Sequence, residues 1–372
     1  MKIGILTITP NIGFGGIMQT YALKNVLEEL NDNNTVCVIS YKRKYKIKSK
    51  VYFFVKMLFR HFFYGQFTKF TIASDYNYSS QNTQSFIDKY LNPTENIYSE
   101  KKLRRFINEN VNILVIGSDQ VWRPKYVWGI KNYFAEGINP SIKKIAYAAS
   151  LGVGAWEYEL KETKVCKNLI QNFSYVSVRE QNAIQLIKDN LEYSNAIYWD
   201  LDPTLLINPS TYSKFIREKT NNEKYLFTYI LDVNISKKTV VDKVADRRGL
   251  SIYAFNTNAE NGRLPLNERV APPVEEWLSR IANSDYVITD SFHGTVFSII
   301  FNKPFLVYVN QERGAERFVS ILTMLGLENR MIYCENDYHD ELIDHTIDWA
   351  KINMIISSKR DEIISRLKYH LK

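Results

Sequence analysis

Short apolar runs alternate with stretches of helical apolar spacing along most of the chain, and that alternation predicts strands feeding helices. The runs Lys2–Thr9, Thr35–Tyr41, Val111–Trp122, Lys144–Gly152, Tyr175–Glu180 and Ala196–Leu201 read as strands with the junctions that close them, the first as a buried parallel strand. Helical spacing follows several of them, most clearly over Ile17–Leu30, Gln84–Leu91, Ser99–Asn108 and from Glu180 to about Asp189. The segment Asn208–Asn222 turns polar and carries Pro209, which predicts a link. Strand and helix then restart with Tyr225–Leu231, Lys237–Asp246, Ser251–Phe255, Val274–Ala282, Tyr286–Thr289, Thr295–Phe301 and Lys303–Val309. The tail Ile343–Leu371 reads as an amphipathic helix that returns to the first domain. The pattern predicts an α/β protein with one domain over 1–207, a second over 208–340 and a terminal helix over 341–372.

At 372 residues, 45% of them hydrophobic, the chain can bury two cores of ordinary size. Cys37, Cys166 and Cys334 are odd in number and lack metal spacing, which points to a reducing compartment without structural zinc. The five histidines add no ligand pattern, so no metal site is expected. The first ten residues lack a secretory cleavage site, and no apolar run is long enough to span a bilayer. A cytoplasmic protein is the expectation.

The net charge of +8 is concentrated in one place. Between Tyr41 and Ala73 lie nine basic residues and no acidic one: Lys42, Arg43, Lys44, Lys46, Lys48, Lys50, Lys56, Arg60 and Lys69. Removing these from the 48 basic residues leaves 39 against 40 acidic ones, so the rest of the chain is neutral. Lys56, Arg60 and His61 share a helical face among Phe, Leu and Met, the composition of a helix lying on an anionic membrane. A core-packing helix with a solvated basic face has the same composition. Single-stranded nucleic acid is the weakest partner, because no nucleic-acid module accompanies the stretch.

Candidate chemistry gathers where strands end. Gly13, Gly15 and Gly16 follow the first strand but do not have dinucleotide spacing. Gly117, Ser118, Asp119 and Gln120 end the third, and Arg179 the fifth. Arg179 either grips a carboxylate or phosphate bidentately or pairs with a nearby carboxylate at the surface. Asp290, Ser291, His293 and Gly294 form a junction whose free N–H groups and helix dipole suit an anion. There, His293 is either a general acid or a helix cap, and Asp290 is either a base or a cap. Arg313 and Arg317, four apart on a predicted helix, either add positive potential to the cleft or, the preferred reading, belong to a surface face.

In this order the motifs Asn11-Ile-Gly-Phe-Gly-Gly-Ile-Met-Gln-Thr-Tyr-Ala-Leu23, Gly117-Ser-Asp-Gln-Val-Trp122, Ala146-Tyr-Ala-Ala-Ser-Leu-Gly152, Val176-Ser-Val-Arg-Glu180, Asp202-Pro-Thr204 and Thr289-Asp-Ser-Phe-His-Gly294 resemble those of the polysaccharide pyruvyl transferase family. The glycine loop departs from the usual small-residue form by carrying Phe14 and Gly15. The resemblance implies two Rossmann-like domains facing a cleft, similar to the GT-B glycosyltransferases. It implies transfer of pyruvate from phosphoenolpyruvate to a sugar, with no further cofactor, commonly as a cyclic ketal on a glycan or lipid-linked precursor. His293, Asp119 and Asp290 are then the expected catalytic groups, and Arg179, Ser291 and Gly294 the donor site. Gly15, Gly16, Gln19 and Ser118 are the expected acceptor side. A polyprenyl-diphosphate-linked acceptor would give the membrane-surface set, Lys42, Arg43, Lys44, Lys46, Lys48, Lys56 and Arg60, its purpose at the inner face of the membrane. A nucleotide-sugar glycosyltransferase, or a non-catalytic glycan- or membrane-binding scaffold, would suit the same cleft.

Overall fold

A computed structural model of the chain describes residues 1–42, 77–219, 223–255, 259, 264–309 and 314–372. Arg43, Lys44, Lys46, Lys48, Lys56, Arg60 and Arg313 lie outside the described residues. Lys42, described, is half-buried, and its backbone N–H donates to the carbonyl of Ile97 at 2.9 Å.

The apolar runs form two all-parallel sheets. The first contains β1 (Lys2–Leu6), β2 (Thr35–Val38), β3 (Ile113–Asp119), β4 (Lys143–Ala149), β5 (Tyr175–Val178) and β6 (Ile197–Trp199), in the order β2-β1-β3-β4-β5-β6. The second contains β7 (Tyr225–Tyr229), β8 (Ser251–Ala254), β9 (Tyr286–Thr289), β10 (Phe305–Tyr308) and β11 (Met331–Ile332), in the order β11-β10-β9-β7-β8. The strand order reverses between β1 and β3 in one sheet and between β7 and β9 in the other. A crevice opens outside the carboxyl ends of strands at such a switch point, where neighbouring connections leave to opposite faces. Each sheet is therefore a Rossmann-like unit with one predictable ligand edge.

The helices are α1 (Phe14–Glu29), α2 (Gln81–Phe86, continued by a π turn to Leu91), α3 (Glu100–Asn110), α4 (Leu160–Ile170), α5 (Gln181–Leu191), α6 (Ile235–Arg248), α7 (Val274–Ala282), α8 (Phe292–Ile300), α9 (Glu316–Leu325), the single turn α10 (Glu341–Asp344) and α11 (Trp349–Leu371). Residues on several sides of α1, among them Phe14, Ile17, Met18, Tyr21 and Leu23, are buried. It is covered by its own sheet and by the second domain: Phe14 stacks on Trp277 at 5.5 Å and meets Phe255 edge-on at 5.6 Å. The core is thus continuous across the domain boundary. The polar link is also packed, for Tyr212 and Phe215 are buried and Tyr212 meets Phe297 at 5.2 Å. At the far end of the chain α11 lies against the first sheet, where Arg366 pairs with the buried Asp200 and Nε of Arg360 donates to the carbonyl of Leu205 at 3.1 Å. Among the described residues no helix is long and apolar enough to cross a membrane.

Candidate functional site

The residues that close the first switch point are fixed by bonds between β3 and α1. The buried hydroxyl of Ser118 donates to Oε1 of Gln19 at 3.0 Å, and its carbonyl accepts from Oγ1 of Thr7 at 2.9 Å. Asp119 follows with φ +72°, a left-handed conformation that aspartate adopts more readily than most residues. Its N–H donates to Oγ of Ser118 at 2.7 Å. Its carboxylate stands 3.6 Å from Nη2 of Arg179.

The second switch point supplies the histidine. Ser291 caps α8, its hydroxyl oxygen accepting the N–H of Gly294 at 3.3 Å. The helix therefore begins at Phe292, earlier than apolar spacing alone suggests, and His293 and Gly294 stand in its first turn rather than in a loop. Gly294 is needed for closeness: a Cβ there would lie 2.4 Å from Oγ1 of Thr289. A closer contact crosses the domains, since a Cβ on Gly15 would lie 2.2 Å from Nδ1 of His293. The glycine loop after β1 is thus the surface on which the second domain's histidine rests, and Gly16 sits beside Asp119.

Between His293 and Arg179 stands Asp202, a residue sequence reasoning placed in a motif without a role. Its Oδ1 accepts from the N–H and hydroxyl of Thr204 at 3.0 and 2.7 Å, and Oδ2 accepts from Nη1 of Arg179 at 2.8 Å. The same Oδ2 lies 3.5 Å from Nε2 of His293, a charge contact longer than a formed hydrogen bond. Burial alone would raise the Asp202 carboxyl, but His293 and then Arg179 outweigh it and hold it well below the usual carboxylate range. Arg179 is itself buried, with its guanidinium over the ring of Phe292 at 4.5 Å. Burial opposes its charge, while Asp202, Glu180 and Asp119 outweigh that and raise its pKa. The surface position considered for Arg179 is therefore excluded. Nε2 of His293 and Nε and Nη2 of Arg179 are buried without a hydrogen-bond partner among the described residues.

Two further residues were missed or misplaced. Glu180 is fully buried and accepts the hydroxyl of Ser150 and, at 3.2 Å, the N–H of Leu151. Arg317 does not lie on a surface face: it is 8% exposed, 5.4 Å from the ring of Phe292, because its helix packs Phe318, Ile321 and Leu322 into the core. Burial, then repulsion from Arg179, brings its pKa down to about 10. Ser291, not Asp290, caps α8. The Asp290 carboxylate accepts the N–H groups of Leu231 and Asp232 at 2.6 and 3.1 Å and Nζ of Lys237 at 2.7 Å, bonds that tie the loop after β7 to the loop after β9. The structure thus brings together His293, Asp119, Arg179, Gly15 and Gly16 and gives Asp290 a bracing role. A groove of about 680 Å³ beside the edge strand β8, lined by Tyr225, Tyr253 and Arg280, is separate from this cluster. Among the described residues, no group of three or more metal-ligating side chains is assembled.

A family model described as polysaccharide pyruvyl transferase matches residues 11–312. No curated protein matches the chain by sequence. Solved structures with a similar fold include a putative UDP-N-acetylglucosamine 2-epimerase from Listeria monocytogenes, at 10% identity and TM-score 0.52, covering 100% of this chain and 96% of that one. The S. aureus MnaA–UDP co-structure is similar at 13% identity and TM-score 0.52, with the same coverage. At such identity the likeness is one of fold: two Rossmann-like domains of the GT-B type.

Proposed function

Because the chain belongs to the polysaccharide pyruvyl transferase family, we propose that it moves the pyruvyl group of phosphoenolpyruvate onto a sugar and closes a pyruvate ketal. The observation that carries this reading is a buried His293 joined through Asp202 to a buried Arg179, with Nε2 of the one and Nε and Nη2 of the other making no hydrogen bond among the described residues. Such buried donors suit an anionic substrate that gains a proton.

In the reaction, Nε2 of His293 delivers a proton to the methylene carbon of the enol phosphate, leaving positive character on the adjacent carbon. A sugar hydroxyl oxygen bonds to that carbon and its proton passes to a base, for which Asp119 is the accessible carboxylate at 19% side-chain exposure. The carbon–oxygen bond to phosphate then breaks, inorganic phosphate leaves, and a second hydroxyl of the same sugar closes the ketal, its proton returning to Nε2 of His293. Asp202 holds His293 and Arg179 in register. The electrostatic demand falls on the developing cation and the leaving phosphate, which buried charges serve better than solvated ones.

The acceptor side is assigned to Gly16, Gln19 and Ser118, with Gly15 spent on contact with His293. For the acceptor's carrier we favour a polyprenyl diphosphate at the inner face of an anionic membrane, as in capsule or exopolysaccharide assembly. Nine basic residues between 41 and 73 support that placement, at ~1 kcal/mol each before screening.

The test is turnover of phosphoenolpyruvate with a panel of glycan acceptors, following phosphate release and the mass of the glycan. Wild type is expected to release phosphate only with an acceptor and to add one pyruvyl group to it, and His293→Gln to lose both. Turnover by His293→Gln at the wild-type rate sinks the assignment of the acid.

A further inference from the structure

Arg123 is a buried cation with no part in the cluster around His293. It follows Asp119 by four residues, in the connection between β3 and β4, and is 4% exposed. Its Nε and Nη2 donate to Oε2 and Oε1 of Glu157 at 2.9 and 3.0 Å, and its Nη1 donates to Oε1 of Gln120 at 3.3 Å. Glu157 belongs to the connection between β4 and α4, so this bidentate fork fastens two loops that leave the carboxyl edge of the first sheet.

An aromatic ring attends each partner of the ion pair. The guanidinium of Arg123 lies 4.9 Å from the centre of the Tyr126 ring, and the N–H of Tyr126 donates to the Arg123 carbonyl at 3.0 Å. Trp156, next to Glu157 in the chain, stacks on Tyr158 at 4.2 Å and donates through Nε1 to Oγ1 of Thr163 at 2.9 Å. Each ring thus has one face fixed against the protein, yet Tyr126 is 42% exposed and Trp156 is half-buried. Glu157 keeps 33% side-chain exposure, and its bond to Arg123 lowers its pKa, so its spare lone pairs accept hydrogen bonds at neutral pH. Tyr126 is also within electrostatic reach of Arg317, which places the ring at the domain seam.

Fixed rings beside a solvent-facing carboxylate are what a saccharide unit requires. A pyranose presents a face of C–H groups that buries against an aromatic ring, while the hydroxyls at its rim donate to an acceptor such as Glu157. Rings already held in place lose little freedom when a ligand settles on them. A single exposed ring is ordinary. Two of them fastened to one half-exposed ion pair, beside the loop that carries Asp119, form a site.

We propose that Tyr126, Trp156 and Glu157 make a subsite for the acceptor glycan and hold the saccharide unit next to the one that reacts. The inference rests on transfer to a glycan, and it adds that the acceptor binds through at least two sugars. Arg123 acts through its neighbours, as a positioning residue for Tyr126 and Glu157.

The experiment is titration calorimetry of the full chain with galactose, mannose and N-acetylglucosamine and with their di- and tetrasaccharides. The proteins are wild type, Tyr126→Ala, Tyr126→Phe and Trp156→Ala. For the oligosaccharide that wild type prefers, the dissociation constant should rise about tenfold in Tyr126→Ala and in Trp156→Ala, and less than about twofold in Tyr126→Phe, which keeps the ring. Monosaccharide binding should move far less. In turnover of phosphoenolpyruvate, the KM for the oligosaccharide should rise more than kcat falls, which a purely structural brace would not produce. Oligosaccharide binding unchanged in both alanine variants overturns the inference and leaves pyruvyl transfer standing. Equal losses for mono- and oligosaccharides overturn the assignment to the neighbouring unit, and Tyr126→Phe as weak as Tyr126→Ala overturns stacking. Binding that depends on Tyr126, without turnover of phosphoenolpyruvate, supports the subsite and removes the proposed reaction. Wild type that binds no oligosaccharide overturns the subsite. Should Trp156→Ala fail to fold, the two variants of the exposed Tyr126 decide.

Discussion

Replacing Gly15 with alanine isolates the contact that seats His293. Gly15 lies in the first turn of α1 and outside the left-handed region, so the backbone accepts alanine, and helix propensity alone favours it by about 0.8–1 kcal/mol. The new Cβ, however, would stand 2.2 Å from Nδ1, 2.3 Å from Cγ and 2.6 Å from Cβ of His293, where ordinary contact begins near 3.4 Å. Ring or helix must yield by about 1 Å, and overpacking of this kind costs about 1–3 kcal/mol. The two effects nearly offset, leaving a net loss of stability of ~0–2 kcal/mol. Activity has no such offset, because a misplacement of about 1 Å at a reacting group costs about a hundredfold in rate. The expected outcome is a melting temperature lowered by a few degrees at most and a kcat for phosphoenolpyruvate turnover down about a hundredfold. The assay is phosphate release beside a thermal melt. A kcat within about threefold of wild type, in protein that melts normally, refutes the argument that the glycine loop positions the acid.

Three other outcomes follow from the same contacts. Asp202→Asn keeps the bonds to Thr204 but leaves Arg179 buried without its closest counter-charge, so stability should fall by about 3–5 kcal/mol in urea unfolding. Because the folded Asp202 carboxyl is held below its ordinary 3.8, its stabilisation is complete above that pH and is lost as pH falls further. The acid limb of stability below about pH 4 should therefore be shallower in Asp202→Asn than in wild type, and an unchanged limb counts against the assignment. Arg366→Ala strips the cation from the buried Asp200 and should cost about 3 kcal/mol, part of which a second change, Asp200→Asn, should restore in a double-mutant cycle. Neutralising Lys42, Arg43, Lys44, Lys46, Lys48 and Lys50 together should abolish co-sedimentation with anionic vesicles while leaving turnover of a water-soluble acceptor intact; undiminished sedimentation contradicts the membrane reading.

The inner strands were legible because parallel strands buried on both faces read as continuous apolar runs, whereas the edge strands β6 and β8 are only partly covered. Val274–Ala282 and Tyr286–Thr289 coincide with their predicted bounds. Helix starts were less legible where a cap decides them: Ser291 begins α8 before its apolar spacing becomes visible, which moves His293 from loop to helix. The partnership of Asp202 could not be read from Asp-Pro-Thr, since that local pattern explains only Oδ1 and Thr204. Its other oxygen meets side chains contributed by β5 and by the opposite domain. Arg317 was misread for a related reason. Spacing gives the face of a helix, but which neighbour covers that face depends on how the domains meet. Asp290, equally suggestive in sequence, is used up by two backbone N–H groups and Lys237, partners that only the neighbouring β7 connection brings within reach.

The most direct test of the central claim is thermal stabilisation of the wild-type chain by phosphoenolpyruvate, set against a panel of UDP sugars. A ligand at about a hundred times its dissociation constant adds ~2.7 kcal/mol, a readily measured shift in melting. A saturable shift with phosphoenolpyruvate, and none with the nucleotide sugars, is the predicted result. Stabilisation by a nucleotide sugar without any by phosphoenolpyruvate would contradict the account of the donor and leave only the fold and its cleft.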